Sequence, residues 1–217
     1  MRMENDQGSA VDGFVLAGGR SSRMGREKAL LEIGGEPLVL RAARLLDSVC
    51  GKTAIIGPPE RYGGFGFPAV ADDHPGLGPL GGIATALSRA AASWNLILAC
   101  DLPYLSGEWL RFLIQRARVS HALVVLPESA AGPEPLCAAY HREGATAIRA
   151  AIARGERKVT RALDDLPVER ILPGEIREFD PRGVLFQNLN APEEYARARE
   201  DLEAGQPSPT GRPHGPL

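Results

Sequence analysis

The sequence has few cysteines, few lysines and no long apolar run. Cys50, Cys100 and Cys137 are the only cysteines in 217 residues, widely separated, with no CxxC pair and no zinc-ligand spacing. That excludes a disulfide-stapled or zinc-built scaffold, and reduced, partly buried thiols are expected. Lysine is as scarce: only Lys28, Lys52 and Lys158 stand among 25 basic residues, the rest being Arg. A lysine kept against that background invites the question of what Arg does not supply there. No apolar run approaches the ~20 residues that cross a bilayer. Residues 1–12 are polar and lack a signal-peptide hydrophobic region, so a cytoplasmic location is expected. Charge of one sign is also missing: 25 basic and 27 acidic residues give a formal −2. Neither nucleic acid nor a membrane is therefore expected as a partner. His74, His121, His141 and His214 form no HExxH or HxH group, and there is no GxSxG elbow and no internal repeat.

What is present is the mix of a globular protein, 44% hydrophobic and 24% charged, long enough to bury a core without staples. Short apolar runs at 13–17, 53–57, 69–72, 94–100, 122–126, 135–140 and 168–172 read as strands. Helical spacing appears at 37–49, 79–92, 106–118, 142–154 and 192–202, with Ser106 a plausible N-cap. Alternating strands and helices predict an α/β fold with a mostly parallel sheet. Residues 1–12 read as a flexible tail, 13–203 as one domain, and the Pro- and Gly-rich stretch 204–217 as a disordered tail.

The most informative stretch follows the first strand: Leu16-Ala17-Gly18-Gly19-Arg20-Ser21-Ser22-Arg23-Met24-Gly25-Arg26-Glu27-Lys28. Glycines let backbone N–H groups approach a polyphosphate, and Arg23 and Lys28 add side-chain cations. In open α/β sheets such a loop lies where ligands bind. It is not a Walker A loop, because Arg26 follows Gly25 where Lys and Ser or Thr are needed. Nor is it GxGxxG, because Gly18 and Gly19 are adjacent. Gly18-Gly19 alone would pass as a surface loop. Three further stretches carry candidate polar residues: Asp72-Asp73-His74-Pro75-Gly76-Leu77-Gly78-Pro79-Leu80-Gly81-Gly82, then Cys100-Asp101-Leu102-Pro103, then Phe186-Gln187-Asn188-Leu189-Asn190-Ala191-Pro192. Taken singly these also read as a helix-start loop, a helix cap and turn chemistry. A carboxylate at a strand's C-terminal end, as at Asp101, is well placed to hold Mg²⁺ against a triphosphate.

Together these motifs resemble the signatures of nucleotidyltransferases with a GT-A-like, Rossmann-type fold, and most closely those of the molybdenum cofactor guanylyltransferases. The double glycine after Leu16-Ala17 is the guanylyltransferase form, where cytidylyltransferase relatives carry Leu-Ala-Ala-Gly. The matches run in the family's order from about Phe14 to Tyr195. They include Gly155-Glu156-Arg157-Lys158-Val159, with Lys158 where Arg is common, and Glu134-Pro135-Leu136 before Tyr140. Ala191 departs from the family's Thr and removes a hydroxyl cap from the last helix, which Asn190 is expected to replace.

The resemblance implies an open, mostly parallel sheet with helices on both faces. It implies transfer of GMP from GTP to molybdenum-loaded molybdopterin, giving molybdopterin guanine dinucleotide and pyrophosphate, with Mg²⁺ as cofactor. Leu16, Ala17, Gly18, Gly19, Lys28, Gly57, Asp72 and Asp101 are the implied GTP contacts, Asp72 on base or ribose. Arg23, Lys28 and Asp101 are the implied catalytic residues, with Asp101 the metal ligand. Arg157, Lys158, Asn188 and Asn190 are the implied acceptor contacts. Contact with molybdopterin-loading or molybdoenzyme-maturation proteins is also implied. Three alternatives remain open at this point: cytidylyl transfer from CTP, a sugar-phosphate acceptor, or a nucleotide-binding module without catalysis.

Overall fold

A computed structural model describes residues 11–18 and 27–204. The expectations for Gly19, Arg23 and most of both tails lie outside the described residues. In chain order the elements are β1 (Asp12–Leu16), β2 (Glu32–Ile33), β3 (Glu36–Pro37), α1 (Leu38–Asp47), β4 (Lys52–Ile56), α2 (Pro59–Tyr62) and β5 (Ala69–Val70). Then come α3 (Pro79–Arg89), β6 (Trp94–Ala99), α4 (Gly107–Val119), β7 (Val124–Ser129), β8 (Gly132–Pro133) and β9 (Cys137–His141). The chain continues through α5 (Ala145–Ala153), α6 (Val159–Ala162), β10 (Val168–Ile171), α7 (Pro173–Ile176) and α8 (Pro192–Ala204).

The main sheet runs β10-β7-β9-β6-β1-β4-β5, with β8 paired to the end of β7. All neighbours along this order are parallel except those of β9, which is antiparallel to both β6 and β7. The mostly parallel expectation therefore holds, with one reversed strand. The β7–β9 connection explains the reversal, since it is far shorter than the dozen or more residues that a parallel crossover needs.

Period-two alternation splits the core between the two faces. Val15, Ile55, Leu96, Leu98 and Ala139 pack with α1 and α4. Phe14, Leu16, Ile56, Ile97 and Tyr140 pack with α3, α5 and α6. Helices thus cover both faces, as the resemblance implied. On the first face Trp109 is wholly buried among Phe112, Phe179 and Phe186, and its indole N–H donates to Cys137 Sγ at 3.3 Å. The Ser106 cap is present: its hydroxyl accepts from Trp109 N at 3.2 Å. Among the described residues no helix is long and apolar enough to cross a membrane.

The tail boundaries need correction. Asp12 is the first residue of β1, not the last of a tail. Val11 is buried, and the Asp12 carboxylate accepts from Ala91 N and Ala92 N at 2.8 and 2.9 Å. At the other end α8 includes Ala204. A third, small core forms where α8 packs on the β2–β3 hairpin through Ile33, Leu38, Leu189 and Ala198. There Tyr195 donates to the Glu32 carbonyl and Gly34 N–H donates to Glu203 at 3.1 Å.

Candidate active site

Register brings three strand ends level: Leu16 faces Ile56 on β4 and Ala99 on β6. The chain proceeds outward from β1 to β4 and β5, then returns to β6 on the other side of β1. The C-terminal ends of β1 and β6 therefore flank the point where strand order reverses, the place where open α/β sheets form a crevice. Ala17 and Gly18 leave β1 there, and Cys100 and Asp101 leave β6, with Cys100 N donating to Leu16 O at 3.3 Å.

Lys28 lies across this crevice. Its ammonium is paired with the Asp101 carboxylate and donates to Asn190 Oδ1 at 3.0 Å. Both charged side chains are mostly shielded from water, 14% and 17% exposed. Leu189 N donates to the Asp101 carbonyl at 3.2 Å, which fixes the late Asn-rich segment over the end of β6. Residues from positions 28, 101 and 190 thus meet in one cluster. Asn188 sits half-buried two residues before Asn190.

Two adjoining cavities lie along this crevice, the smaller one at the cluster. The smaller, about 210 Å³, is lined by Lys28, Asp101, Cys100 and Leu136. The larger, about 960 Å³, extends over β4 and β5 past Gly57 to Asp72 and Gly76. Leu16, Ala17, Gly18, Glu27 and Pro79 line both. Asp72 is held at the far end: its Oδ1 accepts from His74 N at 2.9 Å and from the buried Thr85 hydroxyl at 2.8 Å. Asp73 points elsewhere, to Arg89 at 2.7 Å. Gly78 starts α3 at φ 62 and ψ −147, a backbone that L side chains avoid, and Pro79 follows at the first helical position. The positive end of that helix dipole faces both cavities. Gly57 lines the larger cavity, and a Cβ there would stand 2.6 Å from a Tyr62 ring carbon.

Arg157 and Lys158 do not join the Asn190 cluster in any hydrogen bond among the described residues. The Arg157 guanidinium donates to the Gly76 carbonyl at 3.3 Å, on the rim of the larger cavity. Glu156 organises their turn by accepting from Arg157 N and Lys158 N at 2.8 and 2.7 Å, and those N–H groups hold its carboxyl below its ordinary value. The expected Asn190 cap on α8 is corrected. The Asn190 side chain is turned to Lys28, and Glu194 instead accepts from Ala191 N at 2.9 Å and Asn190 N at 2.5 Å. The first-turn carboxylate supplies the N3-to-N-cap half of a capping box, not the half a hydroxyl at position 191 would supply, and its charge suits the helix dipole.

The three thiols are free. Burial pushes Cys50, Cys100 and Cys137 each up to about 12, so Cys100 at the crevice remains protonated. Three residues of the site went unassigned by sequence reasoning: Glu27, Arg61 and Tyr62. The Tyr62 hydroxyl reaches the Ala17 carbonyl at 2.9 Å and the Glu27 carboxylate, which also accepts from Arg61 at 2.8 Å. These contacts join positions 34 to 45 residues apart, and no local sequence pattern announces them.

Comparison with known proteins gives a consistent picture. Residues 13–167 match the family described as the MobA-like NTP transferase domain. A probable molybdenum cofactor guanylyltransferase of Pelotomaculum thermopropionicum is 35% identical over 92% of this chain and 96% of its own. A molybdenum cofactor guanylyltransferase of Desulfosudis oleivorans is 33% identical over 91% and 98%. Among solved structures, the molybdopterin-guanine dinucleotide biosynthesis protein A of Archaeoglobus fulgidus superposes with a TM-score of 0.79 at 26% identity. That match covers 89% of this chain and 100% of the other.

Proposed function

The chain belongs to the MobA-like NTP transferase family of nucleotidyltransferases, and from that premise we propose that it transfers GMP from GTP to molybdenum-loaded molybdopterin. The observation that carries this reading is the Lys28–Asp101–Asn190 cluster, whose Lys28 and Asp101 line the small cavity that shares a wall with the nucleotide-sized one. The triphosphate lies along Ala17, Gly18 and Lys28, and the base lies toward Asp72. One Asp72 oxygen is occupied by His74 and Thr85. The other is assigned to the donors of the guanine edge or to the ribose. Arg23, outside the described residues, is assigned to the departing phosphates.

The pterin's terminal phosphate oxygen attacks the α-phosphorus of GTP in line, and pyrophosphate leaves with the β- and γ-phosphorus atoms. No protein nucleophile is required, because the attacking oxygen already carries charge. The residues supply position and electrostatics. Lys28 presents an ammonium to the leaving phosphates, and the α3 N-terminus adds a positive dipole on the same side. Asn190, tied to Lys28, and Asn188 are assigned to the acceptor. Arg157 and Lys158 are assigned to the acceptor's anionic end where it passes the Gly76 rim.

The donor set at Asp101 suits Mg²⁺. That ion keeps one or two carboxylates and completes its shell with phosphate oxygens and water. Among the described residues no cluster of three or more His, Cys, Asp or Glu side chains forms an all-protein metal cage. When bound at Asp101, Mg²⁺ would neutralise charge on the triphosphate oxygens.

Asp101→Ala tests the assignment. We expect guanylyl transfer to fall by at least ~10²–10³, with the thermal unfolding transition retained. A folded variant that still transfers GMP at the wild-type rate rejects Asp101 as a site residue.

A further inference from the structure

Beneath the nucleotide cavity lies a phenol that the guanylyl-transfer reading leaves unassigned. Tyr62 ends the short helix α2, and its side chain is wholly buried. Its hydroxyl is within hydrogen-bond distance of the Ala17 carbonyl, at 2.9 Å, and of the Glu27 carboxylate. One O–H proton serves one acceptor at a time, and the bond to the charged carboxylate is the stronger. The second Glu27 oxygen accepts from the Arg61 guanidinium at 2.8 Å. Burial first, and then the Glu27 contact, raise the phenol's pKa above its ordinary value. Tyr62 therefore stays a neutral donor throughout the working pH range.

Ala17 and Glu27 bracket residues 18–26 of the sequence, and Glu27 immediately precedes Lys28. Whatever fixes the Glu27 backbone and carboxylate therefore fixes the point from which the Lys28 side chain reaches toward Asp101. Glu27 itself lines both cavities, so its placement also shapes the wall that a nucleotide meets. We propose that Tyr62, assisted by Arg61, is a positioning clamp that holds Glu27 beside the end of β1 and thereby sets Lys28 against Asp101 for a nucleoside triphosphate. The functional half of this proposal rests on the triphosphate assignment of Lys28 made above, whereas the geometric half does not.

The scarcity of lysine supplies a nucleotide-free readout. Lys52 and Lys158 are exposed and serve as internal references, while Lys28 is 14% exposed. Competitive amine acetylation, read by mass spectrometry, then reports how firmly Lys28 is held. Tyr62→Phe keeps the ring and removes the hydroxyl, and Glu27→Gln weakens the acceptor. Both are expected to raise Lys28 labelling severalfold relative to Lys52. Both are expected to weaken GTP binding about tenfold, the scale of one hydrogen bond to a charged group. In a Lys28→Ala background Tyr62→Phe is expected to alter GTP affinity by less than about twofold.

Unchanged Lys28 labelling in folded Tyr62→Phe overturns the clamp, whatever nucleotide the protein binds. Equal losses of GTP affinity with and without Lys28 overturn it as well, because Tyr62 would then not act through Lys28. Raised labelling in a protein whose wild type binds no GTP supports the clamp and rejects the guanylyl reading instead. If Tyr62→Phe does not fold, Arg61→Gln alters only an exposed side chain of the same cluster and carries the same labelling test.

Discussion

Gly57→Ala adds one methyl group where the structure leaves no space for it. The added Cβ would lie 2.6 and 2.9 Å from two Tyr62 ring carbons and 3.5 Å from the Ala17 carbonyl carbon. Carbon atoms in contact settle at roughly 3.5–4.0 Å, so the ring or the end of β4 must move by about 1 Å. The ring has nowhere to go: it is wholly buried, and its hydroxyl stands 2.9 Å from the Ala17 carbonyl. Overpacking of this kind costs ~1–3 kcal/mol. Alanine returns ~0.4–1 kcal/mol by stiffening the unfolded chain, because the Gly57 backbone is not in the left-handed region. The net loss is on the order of 1–2 kcal/mol, which for a domain of this size lowers Tm by roughly 2–8 °C. Because Ala17 and Gly57 both line the larger cavity, a shift of about 1 Å is also expected to weaken GTP binding and to slow transfer by up to ~10²-fold. Circular dichroism melts and titration calorimetry read the effects on stability and binding. Gly18→Ala is the control, since its Cβ meets nothing within 4 Å and its Tm is expected to stay put. A Gly57→Ala protein that melts and binds GTP like wild type would refute the packing argument.

Lys28→Ala is expected to weaken GTP binding by about 10–10²-fold in calorimetry, the scale of a hydrogen bond to a charged group, and unchanged affinity would make Lys28 a mere loop charge. Asp72→Asn is expected to weaken GTP binding and to leave CTP binding unchanged if the carboxylate reads the guanine edge. Equal weakening of both nucleotides moves Asp72 to the ribose, and no change in either removes it from the site. The three thiols, each pushed to about 12, should react with iodoacetamide at pH 8 on the order of 10³-fold more slowly in the folded than in the unfolded chain. The sign for stability follows from the raised values. The folded state disfavours thiolate, so this contribution is intact below the ordinary thiol value of 9.0 and is lost as pH climbs from there to about 12. Fast labelling of the native protein at pH 8, or stability that rises across that window, contradicts the burial assigned to the thiols.

The sequence revealed the parts of the site whose signals are local. Asp101 could be placed because Leu96–Cys100 is a continuous apolar run that ends beside it. Lys28 could be singled out because it closes a Gly-, Ser- and Arg-rich stretch in a chain with almost no other lysine. Helix α4 and its Ser106 cap followed from apolar spacing and a hydroxyl in the right place. What was missed depends on distance along the chain or on shortness. The Lys28–Asn190 bond joins residues 162 apart, and the Tyr62–Glu27 contact joins residues 35 apart. Helices α2, α6 and α7 have four residues each, too few for a helical period to show. The β2–β3 hairpin did carry a signal that went unread: Gly34 and Gly35, at φ 62 and 76, form the Gly-Gly turn that such hairpins favour. The reversed β9 was legible only from the brevity of the β7–β9 connection, not from its apolar residues.

These elements make Lys28 a junction. The Tyr62 clamp holds the residue before it, Asp101 and Asn190 hold its ammonium, and α8 braces the hairpin that follows it. A single cation held from three sides suits a reaction whose chemistry is positioning around a triphosphate. The most direct test offers the full-length protein molybdenum-loaded molybdopterin, Mg²⁺ and, in parallel, GTP or CTP labelled at the α-phosphorus. Label from GTP in a molybdopterin dinucleotide, with stoichiometric pyrophosphate and little or no label from CTP, is the predicted result. Transfer from CTP at a comparable rate, or no transfer from GTP by the folded protein, would contradict the account.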